Sequence, residues 1–192
     1  IEDFADLRQV VFTYRDPYNT FWVISWPASK LTIRSYETAT NRRNDWDQII
    51  GKALSNKYYA PRGVHTTRDG NIWIWGHNLF GKVMPETKNI EIIRNDIPGE
   101  FSIRYDNISM IFEDRESNIW ISSDKGLFRF NPAAQKFKVL RNRRPGNDSI
   151  YTPDVTDILQ TRNGNILVST WGSGVFSYDS NLNPIKTAIS SQ

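Results

Sequence analysis

The sequence predicts an all-β chain built from repeated small antiparallel sheets, and three observations carry that prediction. A turn-and-strand motif recurs twice at a spacing of 47 residues, a fainter copy lies 51 residues ahead of the first, and seven Trp, eight Tyr and ten Phe stand against only two Met in 192 residues. Aromatic and β-branched side chains pack well on pleated surfaces, and the chain holds no long Ala, Leu, Glu or Lys tract that would favour helices. With 39% hydrophobic residues it has ample material for a core, so disorder is not the default.

The motif runs Arg68-Asp69-Gly70-Asn71-Ile72-Trp73-Ile74, then Arg115-Glu116-Ser117-Asn118-Ile119-Trp120-Ile121, then Arg162-Asn163-Gly164-Asn165-Ile166-Leu167-Val168. In the fainter copy, Asn19-Thr20-Phe21-Trp22-Val23 aligns Trp22 with Trp73 and follows the turn formers Asp16 and Pro17, which makes four units. Asp/Asn-Gly-Asn supplies residues that tolerate positive φ, and the following Ile-Trp-Ile alternates across a strand, so each motif reads as a hairpin turn leading into a second strand. Val64, Ile111 and Ile158, again 47 apart, mark the first strands, with Ile108 matched by Val155. Leu79-Phe80, Leu127 to Phe130 and Val175 to Tyr178 mark the third, preceded in the last two copies by Gly126 or Gly174. Short fourth strands are expected at Asp45 to Ile50, Asn89 to Arg94, Gln135 to Leu140 and Asn183 to Ala188.

Four short antiparallel strands per unit match a β-propeller blade, and one such sheet buries its faces only against neighbouring sheets. The chain therefore reads as a single β-propeller segment with blades at roughly residues 1–54, 55–102, 103–149 and 150–192. A β-sandwich is the alternative arrangement. Four blades are read here as an incomplete propeller, a fragment of a larger ring.

Several function classes fall away. Zero cysteines remove disulfides, thiolate metal sites and Cys nucleophiles, and two His lack metal-ligand spacing to partners. No P-loop, dinucleotide fingerprint, nucleophile elbow or HExxH occurs, so no catalytic residue, metal or cofactor is expected. A formal charge of +3 lacks the concentrated positive field of a nucleic-acid binder, so no nucleic-acid partner is expected. The basic groups Arg42, Arg43 and Arg141, Arg143, Arg144 read as solvated loops. The longest apolar runs are too short to cross a bilayer, and the N-terminal residues lack a basic start followed by an apolar stretch, so this segment is expected to make no membrane contact.

The stretch Asp114 to Asn131, DRESNIWISSDKGLFRFN, resembles the repeat of the two-component regulator propeller family, whose pattern runs roughly D-x-x-G-x-I-W-I-G-T-x-x-G-L-x-x-F. The second and fourth copies are similar to it as well, and the first is degenerate. The resemblance implies the periplasmic sensor region of a hybrid two-component regulator, with a membrane span and histidine kinase elsewhere in the protein and oligosaccharides as ligands. The chain departs from that pattern in having about four blades, no membrane span and no kinase or response-regulator motif. The expected partners are then the remaining blades of a parent receptor, and the open edges of an incomplete blade set invite self-association.

The repeat also sorts residues by the end of the blade they occupy. First-to-second turns lie at one end with nearly constant chemistry, which turn geometry alone demands, so no function is assigned to them. Second-to-third loops and inter-blade links lie at the other. Just after the second strand, equivalent positions hold Trp26, His77, Asp124 and Trp171, followed by Pro27, Asn78, Lys125 and Gly172. Aromatic rings and hydrogen-bonding groups of this kind suit sugar recognition, rings stacking on C–H faces and polar groups meeting hydroxyls. The competing reading packs Trp26 and Trp171 between blades and leaves His77 as an ordinary surface residue. The links Lys57 to Arg62, Arg104 to Asn107 and Tyr151 to Asp154 add Tyr58, Tyr59, Arg62, Arg104 and Tyr105. An acidic glycan would engage Arg62, Arg104 and Lys125 by charge-assisted hydrogen bonds. Two further functions stay open: a protein-interaction or assembly scaffold, and a propeller glycan hydrolase or lyase.

Overall fold

Period-two alternation and turn chemistry fold the chain into four successive meanders. The structure, a computed structural model, describes residues 9–27, 29–95, 103–131, 136–140 and 155–185. The first sheet holds β1 (Val10–Arg15), β2 (Thr20–Ser25), β3 (Thr32–Glu37) and β4 (Arg42–Asp45). After helix α1 (Asp47–Ala53) the second holds β5 (Ala60–Thr66), β6 (Ile72–His77), β7 (Leu79–Met84) and β8 (Asn89–Ile92). The third is β9 (Ile108–Glu113), β10 (Ile119–Ser123), β11 (Gly126–Asn131) and β12 (Lys136–Leu140), and the fourth β13 (Val155–Gln160), β14 (Ile166–Thr170), β15 (Gly174–Tyr178) and β16 (Pro184–Ile185). Within every sheet the hydrogen-bonded neighbours are consecutive in sequence and antiparallel. These are propeller blades; a sandwich would exchange strands between sheets through Greek-key connections.

The repeat is repeated in hydrogen bonds. Each first-to-second turn closes with two backbone bonds: in the first blade Asp16 N–H to Thr20 C=O (3.0 Å) and Asn19 N–H to Asp16 C=O (3.1 Å), with the same pair at Thr67, Asp114 and Thr161. The residue before each closing position has positive φ in all four blades: Asn19, Gly70, Ser117 and Gly164 at 66°, 85°, 60° and 87°. This type I turn with a left-handed residue matches the twist of a hairpin, and it shows the degenerate first copy to be a full member of the repeat.

Two features depart from expectation. The fourth strand of the first blade is β4, and most of the segment Asp45 to Ile50 expected there lies in α1 instead. Asp45 Oδ1 accepts the Asp47 N–H (3.0 Å) and starts the turn. Ile50 points into the core with Ile49 and Leu54 packed beside it, a spacing of one and four residues that suits a helix face. Positive φ at Ser55 and Asn56 ends it. The second departure is length: six residues separate the paired Ser25 and Thr32, against two between Gly76 and Leu79 and two between Ser123 and Gly126. The four extra residues that stretch the first spacing to 51 therefore lie in the β2–β3 loop. Of the other expected fourth strands, β8 stops at Ile92 and β16 covers Pro184–Ile185, while Gln135 and 186–188 lie outside the described residues.

Residues 1–93 and 94–192 form two compact units. In the first, Trp22, Ile24, Ile33 and Trp46 of the first blade region pack with Val64, Ile72, Ile74 and Leu79 of the second. In the second, Trp120 and Leu127 pack with Val155, Ile158, Ile166 and Val168. Each unit thus gains its core by laying two blades face to face.

Candidate functional site

Every first strand carries a β-bulge near its start, which places one unmatched residue there: Val11, Arg62, Ser109 and Thr156. The bulges bend the strand where it meets the link and re-aim side chains at that end of the blade. Sequence reasoning missed them, because a bulge leaves the alternation of buried residues intact on either side. Arg62, a candidate contact, owes its exposed position to this irregularity and belongs to β5, so only the first half of the expected link Lys57 to Arg62 is loop.

The loop after the second strand sits directly across from the link. Trp26 N–H donates to Gln9 C=O and Asp124 N–H to Asn107 C=O, both at 3.0 Å, and His77 pairs with Ala60 in the strand register. In the first unit this brings Tyr58, His77 and Asn78 together: the Tyr58 and His77 rings lie 5.7 Å apart at 54°, and Asn78 Nδ2 donates to the Tyr58 C=O at 3.1 Å. Asn78, at φ 50°, forms the whole of a very tight loop with His77.

Exposure separates the candidates. Trp171 is 78% exposed, Tyr58 65% and Trp26 40%, so none of the three rings is buried in the core of its own unit. Arg62 and Arg104 are also exposed and His77 and Asn78 are half-buried. Tyr105, expected as a ligand contact, is instead a core residue at 3% exposure, with no accessible face to offer a ligand. Tyr59 is buried as well, its hydroxyl 3.1 Å from both the backbone oxygen and Oδ1 of Asp47. The link Tyr151 to Asp154 lies outside the described residues.

Asp124 and Lys125 turn out to be engaged by the protein itself. Asp124 Oδ1 accepts the N–H groups of Asp106 and Asn107, each at 2.9 Å. The Lys125 ammonium bridges Asp106 (2.7 Å) and Asp124 (2.9 Å). Partial burial opposes ionisation of Asp124, but the bonds from Lys125 and the two amides outweigh it and hold the carboxyl below its usual range. The same two aspartates hold the Lys125 ammonium above its own. This pair staples loop to link in the third blade, and an anionic ligand would have to compete with Asp106 and Asp124 for Lys125. The candidates left exposed or half-buried are therefore Trp26, Tyr58, Arg62, His77 and Asn78 in the first unit and Arg104 and Trp171 in the second.

Comparison with solved structures shows the same blade fold. The extracellular domain of the hybrid two-component system BT3049 of B. thetaiotaomicron superposes with a TM-score of 0.64 at 18% identity over 95% of this chain. That of BT4673 from the same organism gives 0.67 at 16% over 95%. PorZ, a surface component of the type-IX secretion system of Porphyromonas gingivalis, gives 0.62 at 17% over 92%. The chain spans 22%, 22% and 27% of the lengths of these three structures. No protein-family model matches the sequence, and no characterised protein sequence does. No helix among the described residues is long and apolar enough to cross a membrane.

Proposed function

We propose that this chain is a ligand-sensing segment of an extracytoplasmic, periplasmic receptor of the hybrid two-component kind, and that it recognises an oligosaccharide through the loop-and-link end of its blades. The observation that carries the reading is the exposure of Trp171, Tyr58 and Trp26 at that end, where neither turn geometry nor core packing requires an aromatic residue. Exposed rings and hydrogen-bonding side chains, Trp26, Tyr58, Arg62, His77 and Asn78 in the first unit and Arg104 and Trp171 in the second, are the residue types a sugar needs. The repeat motif and the blade fold shared with two such extracellular domains support the same reading. In it the chain is not itself an enzyme: histidine kinase activity, the membrane span and further blades belong to other parts of the receptor, and open sheet edges dispose the isolated piece to self-associate. Light scattering across a concentration series tests the last point; a strict monomer throughout contradicts it.

An assembly scaffold is the second reading, favoured by the likeness to PorZ. A melting-temperature screen against neutral and acidic oligosaccharides separates the two. The sensor reading expects at least one glycan to stabilise the chain, with Trp171→Ala weakening it roughly tenfold, as loss of one stacking ring does. No shift with any glycan favours the scaffold.

A further inference from the structure

Tyr58 and Tyr105 stand 47 residues apart in two equivalent links, yet Tyr58 is exposed and Tyr105 is buried. Adjacent side chains of an extended link point opposite ways, so one of each neighbouring pair turns towards the core. In the second unit chemistry sets the choice. Asp106 follows Tyr105, and a carboxylate is costly to bury, so Asp106 stays at the surface on the Lys125 ammonium (2.7 Å) and the ring goes in. In the first unit the residue after Tyr58 is a second tyrosine, and as residue types the two rings suit the core equally. The core takes Tyr59, and Tyr58 turns out.

The Tyr59 hydroxyl distinguishes the two. It lies 3.1 Å from both the backbone oxygen and Oδ1 of Asp47, and Asp47 opens α1, the only helix among the described residues. Asp47 is itself held: its Oδ1 accepts the Ile33 N–H of β3 (3.3 Å), and its own N–H donates to Asp45 Oδ1 (3.0 Å). A buried hydroxyl without an acceptor is costly, so these acceptors favour ring 59 over ring 58 at the buried position. On the outer side the Tyr58 ring meets the His77 ring at 5.7 Å, and Asn78 Nδ2 donates to the Tyr58 C=O (3.1 Å).

We propose that the buried hydrogen bonds from Tyr59 to Asp47 turn Tyr58 outward against His77, and that α1 thereby positions an aromatic ligand contact in the first unit. This role rests on ligand recognition by the loops and links and adds Tyr59 and Asp47 to it as positioning residues. It also gives a function to the helix that interrupts the repeat: the second unit, with Asp106 after its link tyrosine, keeps that ring inside.

Two readouts test it in the full chain. The first is the imidazole proton signals of His77, assigned with a His65→Gln variant, since the chain has two His. Tyr59→Phe is expected to move the His77 signals towards their positions in Tyr58→Ala, while Asp47→Asn, which keeps an acceptor, leaves them in place. The second is calorimetric titration with cellohexaose, maltohexaose, xylohexaose and trigalacturonate. For a glycan that binds, Tyr58→Ala is expected to weaken affinity about tenfold and Tyr59→Phe about fivefold. The double variant should lose about tenfold, not the roughly fiftyfold of independent effects, because Tyr59 acts through Tyr58. Unmoved His77 signals in Tyr59→Phe, or a double variant as weak as the product of the two, overturns the proposal. Absence of binding by all four glycans removes the ligand role of Tyr58 together with the sensor reading, whereas the His77 signals still decide whether Tyr59 sets its position.

Discussion

In the third blade a single carboxylate joins turn to core. Asp114 is buried; its Oδ1 accepts the N–H groups of Glu116 (3.1 Å) and Asn118 (2.8 Å), and its Oδ2 accepts the indole N–H of Trp120 (2.7 Å). Asp16 does the same for Tyr18, Thr20 and Trp22. Thr67 and Thr161 occupy the position in the other blades and donate to the carbonyls of Asn71 and Asn165, both at 3.0 Å. Asp114→Ala strands the buried Trp120 indole N–H and removes the acceptor of two part-buried turn N–H groups, so we expect it to cost about 2–4 kcal/mol in denaturant unfolding. Trp120→Ala empties a fully buried site and should cost about 3–5 kcal/mol. The double variant should cost less than the sum, since both remove one shared bond. Ser117 holds positive φ where Gly70 and Gly164 stand in sister blades, so Ser117→Gly should stabilise by about 0.5–1 kcal/mol, visible as a raised melting temperature. The turn residues were legible because backbone geometry restricts their types. The bond from Asp114 to Trp120 was not, because it joins residues six apart whose meeting depends on the twist of the hairpin.

Among elements, α1 is where local pattern misled. Asp45 to Ile50 alternates well enough for a strand, and only the apolar spacing reaching Leu54, together with the stop at Ser55 and Asn56, distinguishes a helix. The element carries a buried carboxyl: burial first and the neighbouring Asp45 second push Asp47 above its usual 3.8, against Lys30, the Tyr59 hydroxyl and the Ile33 N–H. The folded state therefore holds a proton on Asp47 more tightly than the unfolded state, and this group's contribution to stability falls as pH rises from about 3.8 through the raised value. Asp47→Asn keeps an acceptor for Tyr59 and Ile33 without the charge. We expect the variant to melt higher than the parent at neutral pH and the gap to close as pH falls below that window; a constant gap at every pH would show that Asp47 does not titrate as described. The β2–β3 loop, by contrast, was recoverable from the excess of four residues in the first spacing. The role of each loop residue was not: the same repeat position holds a staple in Asp124, whose carboxylate accepts the link N–H groups of Asp106 and Asn107, and an exposed ring in Trp171.

For the molecule as a whole, the repeat was enough to define the four sheets and their strand order, apart from the first blade's fourth strand, because turn chemistry and alternation agree across the copies. What the period did not reveal is which loop and link positions carry exposed side chains: Trp26, Tyr58 and Arg62 in the first unit, Arg104 and Trp171 in the second. Trp46 escaped notice because it belongs to no motif and stands in the segment read as a strand. Oligosaccharide recognition by the loops and links is the proposal most in need of a binding measurement. Calorimetric titration of the full chain with the glycan that most raises its melting temperature tests it most directly. We expect Trp26→Ala in the first unit or Trp171→Ala in the second to weaken binding roughly tenfold, each leaving the melting temperature within a degree or so of the parent, as for exposed sites. Undiminished binding in both variants, or unfolding of Trp171→Ala, would contradict it.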